Sequence, residues 1–159
     1  MLETLFQPGP TDSYVAGAFR LVLAALAGAA IGFEREDPKR HAGLRTDMLV
    51  GLASCLVTMG ALHIAAFIDL AGENARADPI RVVEAVTAGV AFIAAGSIIR
   101  SGTDIHGVTT AAALWLAGAV GISIGAGYFA LPLTAVAIAL FILTVLKKVE
   151  EKMLDKHDE

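Results

Sequence analysis

The sequence predicts an all-α protein, a polytopic integral membrane bundle of five transmembrane helices with the N-terminus outside and the C-terminus in the cytoplasm. Three observations predict it. Of 159 residues, 56% are hydrophobic and 18% charged, against about 45–50% and about 25% in a soluble domain, and the mean hydropathy is +0.68. The apolar residues gather into five runs, each near the ~20 residues that cross ~30 Å of hydrocarbon at ~1.5 Å per residue. The basic residues gather on alternate connections between those runs. Barrel strands do not explain the runs, which exceed ~10 residues and lack in/out alternation. A helix satisfies its own backbone in the absence of water.

Residues 1–13 read as a short extracytoplasmic tail with Glu3 and Asp12 and no Lys or Arg. A secretory signal needs a basic region there, so no cleaved signal is expected. The first span, Tyr14 to Phe33, carries Arg20 about two turns from its start and Gly28 and Gly32 four residues apart. The second, Met48 to Ile68, is preceded by Thr46 in the N-cap position, with Asp47 in the first turn where a negative charge suits the helix dipole. The third, Val82 to Ile99, follows Asp78-Pro79, an N-cap residue and a proline whose missing N–H costs nothing at the first helical position. The fourth, Val108 to Ile124, begins at Thr109 or Thr110, and the fifth runs from Tyr128 to Leu146. The third and fourth are short and rich in Gly and Ala, so each is alternatively a buried or tilted helix that spans with its neighbours' help. Residues 14–146 thus form one transmembrane domain, followed by a mixed basic and acidic cytoplasmic tail, 147–159.

Orientation follows from the basic residues, which accumulate in cytoplasmic loops. One side holds nine: Arg35, Lys39, Arg40 and Arg45, then Arg100, then Lys147, Lys148, Lys152 and Lys156. The other holds Arg76 and Arg81. A shift of 64 positions lays Gly107 to Thr110 (GVTT) on Gly43 to Thr46 (GLRT) and Gly96 on Gly32, so the first four spans are alternatively two repeated helical hairpins, with the fifth helix left over. Cys55 is the only cysteine, which rules out an intrachain disulfide. A net charge of -4 gives no support to a nucleic-acid partner.

The candidate functional surface is cytoplasmic and comprises Glu34, Arg35, Arg45, Thr46, Asp47, Arg100, Thr109 and Thr110. Arg45 stands beside a helix start, where free N–H groups and a guanidinium fork suit an anion. If the two hairpins are equivalent, Arg45, Thr46, Arg100, Thr109 and Thr110 share one place. The alternative is an ion pair of Arg45 with Glu34 or Asp47 that locks the loop. Glu34, Glu36 and Asp37 offer oxygen ligands to a hard cation such as Mg2+, but Arg35, Lys39 and Arg40 nearly balance them, which favours a solvated loop. At the outer end Arg20 either pairs with Glu84 or snorkels along its stem to the interface. Gly28 with Gly32 and Gly121 with Gly125 are spaced for close helix approach, within the bundle or in a homodimer, and Gly89 and Gly96 of the third span are expected to pack helices too. No metal-ligand spacing, phosphate loop or nucleophile–base pair is present, so enzyme chemistry has no foothold.

GFER at Gly32, AGLRTDMLV at Ala42, DPIR at Asp78, the Gly/Ala-rich stretch Gly89 to Gly96 with Arg100 after it, and HGVTTAAALW at His106 together resemble the membrane domain of the MgtC/SapB family. Each motif alone is weak, and their order and spacing over most of the chain make the signal specific. The resemblance implies a five-span protein of the bacterial inner membrane, in a virulence-associated family linked to survival in low magnesium. It also implies motif residues at Glu34, Arg35, Gly43, Leu44, Arg45, Thr46, Asp78, Arg81, Gly89, Gly96, Gly107, Thr109 and Thr110. Ala91 and Ala94 replace glycines common in the family's third span, which is expected to reshape packing there. Larger members carry a soluble C-terminal domain, and this sequence ends about a dozen residues past its fifth span, so that domain's properties are not expected to transfer.

The expected function is therefore Mg2+ homeostasis or stress adaptation through binding and modulation of another membrane protein, the rotary ATP synthase being the family's proposed example. The alternatives are a transporter or channel for Mg2+ or another small solute, and a dimer-forming scaffold. No cofactor is expected beyond Mg2+ as ligand or cargo.

Overall fold

A computed structural model of the protein describes residues 14–33, 43–70 and 78–146. The two tails, the acidic cluster with Glu34 and Arg35, and Arg76 lie outside the described residues. The elements are α1 (Tyr14–Phe33), α2 (Leu44–Leu70), α3 (Pro79–Gly96), β1 (Ile99–Ser101), β2 (Asp104–His106), α4 (Val108–Gly125) and α5 (Ala130–Phe141), which continues as a π-helical turn over Ile142–Leu146. Helices α1 to α4 are each long and apolar enough to cross a membrane, and the described part of α5 is shorter.

Helix starts differ from expectation for local reasons. Helix α2 begins at Leu44, four residues early, because the Gly43 carbonyl accepts from the N–H groups of Thr46 (3.0 Å) and Asp47 (3.1 Å). Thr46 is therefore inside the first turn and is not the N-cap. Helix α4 is capped by Gly107 in the left-handed region (φ 89°) with no side-chain bond, which places Thr109 and Thr110 inside the helix as well. Asp78 does cap α3: its carboxylate accepts from the Ile80 N–H at 2.9 Å with Pro79 in the first turn, so α3 starts three residues ahead of the predicted span.

Small residues set the packing. A β-carbon at Gly32 would lie 2.8 Å from the Leu44 Cα, one at Gly28 would strike the Asp47 carbonyl, and one at Gly51 would lie 2.8 Å from the Ala24 carbonyl. Numbers rise along α2 as they fall along α1, so the two run antiparallel with backbones in contact. Likewise Gly121 abuts the Gly51 carbonyl, and a β-carbon at Gly125 would lie 2.7 Å from the Cys55 carbonyl, so α2 and α4 run parallel. Ala24, Ile31, Cys55, Leu114, Ala117 and Ile124 are wholly buried along these seams. Close backbone approach of this kind replaces the hydrophobic effect as the source of helix association in lipid.

Helix α4 is the hub, 61% buried, whereas α3 is peripheral at 11%. Only Val90 and Ala94 of α3 are buried, with Val90 filling the notch left by Gly118. Gly89 and Gly96 are not packing glycines: both are exposed, and a β-carbon at either would meet nothing within 4 Å. Of the two alanines that replace family glycines there, Ala91 is exposed and crowds no neighbouring helix, whereas Ala94 is buried in the core.

Candidate functional site

The ends of α1 and α3 and the starts of α2 and α4 lie at one end of the bundle, as the Gly32–Leu44 approach and the α3–α4 hairpin require. That connection is an antiparallel β-hairpin, which the sequence analysis did not foresee. Ile99 pairs with His106, Arg100 with Ile105 and Ser101 with Asp104. Gly102 (φ 65°) takes the first central position of a two-residue loop, as a II′ hairpin turn demands. Gly107 at its base has no room for a side chain, because a β-carbon would strike the Ser97 carbonyl. All six strand residues are exposed. Ile105, 61% exposed, and Arg100 share one face of the ribbon, and the Arg100 Nε–H donates to the Gly102 carbonyl at 3.0 Å. The signal was present in the Ser-Gly-Thr-Asp run between Ile99 and His106, but three-residue strands are too short for an alternation pattern to announce.

The predicted surface residues separate into two groups. Arg45, Arg100 and Thr109 are exposed and Thr46 is half-buried. Asp47 and Thr110 are not surface residues, at 0% and 7% exposure. Asp47 is buried because it lies on the α1 side of α2: a β-carbon at Gly32 would sit 2.7 Å from its Oδ2. With Arg45 exposed and Asp47 buried against α1, the anticipated lock is not made through Asp47, and Glu34, the other partner expected for Arg45, lies outside the described residues. A buried carboxylate in the first turn of α2 is favoured by the free N–H groups and the dipole of that end.

At the opposite end Arg20 departs from both expectations. It is 1% exposed, so it does not snorkel, and Glu84 is exposed on α3. Arg20 turns inward instead. Its Nη1 donates to the Gly125 carbonyl at the end of α4 (3.2 Å), and the guanidinium lies 5.9 Å from the centre of the Phe129 ring, which tilts against Phe19. A cation at the carbonyl end of a helix is electrostatically favourable, and the aromatic face adds a cation–π contact. The arrangement ties α1 to the α4–α5 turn, where Gly127 (φ 90°) reverses the chain. Arg81 is exposed and lies 4.0 Å from Asp78.

Three hydroxyl groups inside the spans bond back to their own helices: Thr58 to the Ser54 carbonyl (2.8 Å), Ser123 to Ala119 (3.0 Å) and Thr144 to Leu140 (2.6 Å). They leave no demand on neighbours. A lateral cleft of about 230 Å3 between α3 and α4, lined by Val83, Thr87, Val90, Trp115 and Ala119, is predominantly apolar.

The family model for the MgtC family matches residues 21–152. The chain is 37% identical over 139 residues to the putative magnesium transporter YhiD of Escherichia coli K12, covering 87% of this chain and 64% of that protein. It is 36% identical over 149 residues to protein SrpB of Synechococcus elongatus (89% and 80%) and 37% identical over 125 residues to protein SapB of Bacillus subtilis (78% and 52%). The chain thus spans just under two thirds of YhiD and about half of SapB. No solved structure matches. With the motif order, the apolar helices and the family match in agreement, the chain belongs to the MgtC family of membrane proteins.

Proposed function

We propose that the protein serves Mg2+ homeostasis in the bacterial inner membrane by binding another membrane protein through the hairpin end of its bundle. The link to magnesium is supported by the name of the relative YhiD. The binding role is supported chiefly by the backbone-to-backbone seams of α1 with α2 and α2 with α4, which run from Gly32 to Ala24 and from Gly51 to Gly125 and leave no width for a hydrated ion between those helices. Placing the hairpin end in the cytoplasm is supported by Arg45 and Arg100 there. The starts of α2 and α4, Leu44 and Val108, are 64 positions apart, which supports reading the hairpins as two copies of one unit.

In this reading Arg45, Arg100 and Ile105 form the docking surface, and Asp47 fixes the turn beneath it. A photoreactive residue at Ile105, with the full chain in its native membrane, tests it. Covalent capture of one defined membrane protein, the ATP synthase being the first to probe for, is the expected result. Capture of lipid alone, with activity intact, overturns the reading. Transport is the second reading, resting on the same relative's name.

A further inference from the structure

We propose that the lateral cleft between α3 and α4 is a lipid site, holding one acyl chain of a phospholipid from the leaflet opposite the hairpin end. The cleft exists because the two helices part toward that end. Val83, Thr87, Val90 and Ala94 recur at helical spacing and form one stripe of α3. The inner part of the stripe is packed, with Val90 at 7% and Ala94 at 5% exposure and Val90 seated over Gly118. The outer part of the same stripe is open: Thr87 is half-buried and Val83 is 41% exposed. On the α4 side Ala119 and Ser123 are too small to fill the gap, and a space of about 230 Å3 remains.

Depth, size and chemistry select the occupant. Helix α3 has 18 residues, about 27 Å at helical rise, close to the ~30 Å of the hydrocarbon layer. Val83 and Val90 then lie about 6 Å and about 16 Å below its outer end, so the cleft spans one leaflet and closes near the bilayer centre. Both helices that wall it are long and apolar enough to cross a membrane, and its side opening faces hydrocarbon. A second helix does not fit: at ~10 Å across, a 10 Å length of one displaces roughly 800 Å3. An extended alkyl chain does fit, since an apolar cavity of only ~150 Å3 stays dry and takes up a benzene ring. The Ser123 hydroxyl is spent on the Ala119 carbonyl at 3.0 Å, and Val83, Val90, Ile122 and Trp115 make the walls apolar. Left empty, those walls would forfeit their dispersion contacts. The Tyr128 N–H donates to the Ser123 carbonyl at 3.0 Å, which sets the exposed Tyr128 above the mouth, where such a ring sits at headgroup level.

Trp115 is the only tryptophan of the chain and lines the cleft, so it reports on the occupant without an added label. The test places the full chain in vesicles of phosphatidylcholine whose acyl chains carry bromine, which quenches indole fluorescence on contact. Ala119→Phe is expected to lower the quenching about twofold, because the phenyl group takes the space of the acyl chain. Ala112→Phe, one turn from Trp115 at an exposed position outside the cleft, is expected to leave it at the parent level. Equal quenching in the two variants would mean that Trp115 meets only the surrounding lipid, and would overturn the site. A second measurement uses the unaltered chain, so it does not depend on how the variants fold: a phosphatidylcholine with a photoreactive group at the end of one acyl chain is incorporated and illuminated. Adducts are expected to concentrate on Thr87 and Ala119 over Leu26, on the exposed side of α1. An even spread overturns the proposal, and so do adducts on α1 with none in the cleft, the result if protein fills it. Neither outcome bears on the docking surface at the hairpin end, because the cleft lies in the other half of the bundle and is argued independently.

Discussion

Gly121→Ala adds one methyl group at the tightest point between α2 and α4. The new β-carbon would strike the Gly51 carbonyl oxygen and lie 2.9 Å from the Ser54 Cβ and 3.0 Å from the Gly51 carbonyl carbon. Two of these three atoms are backbone, so no rotamer change relieves the contact and the helices must separate. Restoring carbon contacts to the ~3.5–4.0 Å optimum requires a displacement of about 1 Å, which forfeits a quarter to a half of the dispersion attraction along the seam. The expected loss is about 2–3 kcal/mol, the upper part of the range for overpacking, less up to ~1 kcal/mol returned by alanine's helix propensity. Gly60→Ala in α2 is the matched control, because a β-carbon there meets nothing within 4 Å. Thermal unfolding in mild detergent, followed by loss of the monodisperse elution peak, should place Gly121→Ala clearly below the parent and Gly60→Ala at or above it. Equal stability of the two variants would refute the packing argument.

Arg20→Met removes the donor to the Gly125 carbonyl, and an unsatisfied buried carbonyl costs about 1–3 kcal/mol. Arg20→Lys should fall between it and the parent in the same assay, because it keeps the charge but not the planar group facing Phe129. Gly107→Ala forces a side chain into φ 89° and against the Ser97 carbonyl. A loss of at least ~1–2 kcal/mol is expected, with faster protease nicking at the hairpin as the local readout. Arg45→Ala should leave stability within about 0.5 kcal/mol, since the side chain is exposed, yet impair growth in low magnesium. Unimpaired growth would remove Arg45 from the docking surface.

Much of the architecture was legible because bilayer thickness dictates helix length and because Pro, Asp and Gly punctuate the chain. Asp78-Pro79 marked the start of α3, and the spacing of Gly28 with Gly32 and of Gly121 with Gly125 marked the close approaches. The side chains' directions were less legible. Arg20 sits on a helix whose surroundings the sequence does not reveal, and the partner that receives it is a main-chain carbonyl 105 positions away, which has no residue type to search for. Asp47 was placed with the cytoplasmic surface by its position in the first turn of α2, but the face of the helix it occupies is the one packed on Gly32 of α1. Gly89 and Gly96 looked like packing glycines because they stand in a helix rich in small residues, yet a β-carbon at either meets nothing within 4 Å among the described residues.

The central claim is that the protein binds a partner and conducts no ion. Purified full chain in liposomes loaded with a Mg2+-sensitive dye tests it most directly, with an inward Mg2+ gradient and a known Mg2+ channel as positive control. The account predicts a flux equal to that of protein-free liposomes, unchanged by Arg45→Ala or Asp47→Asn. A protein-dependent, saturable Mg2+ flux that Asp47→Asn abolishes would contradict it and make the buried carboxylate part of a transport path.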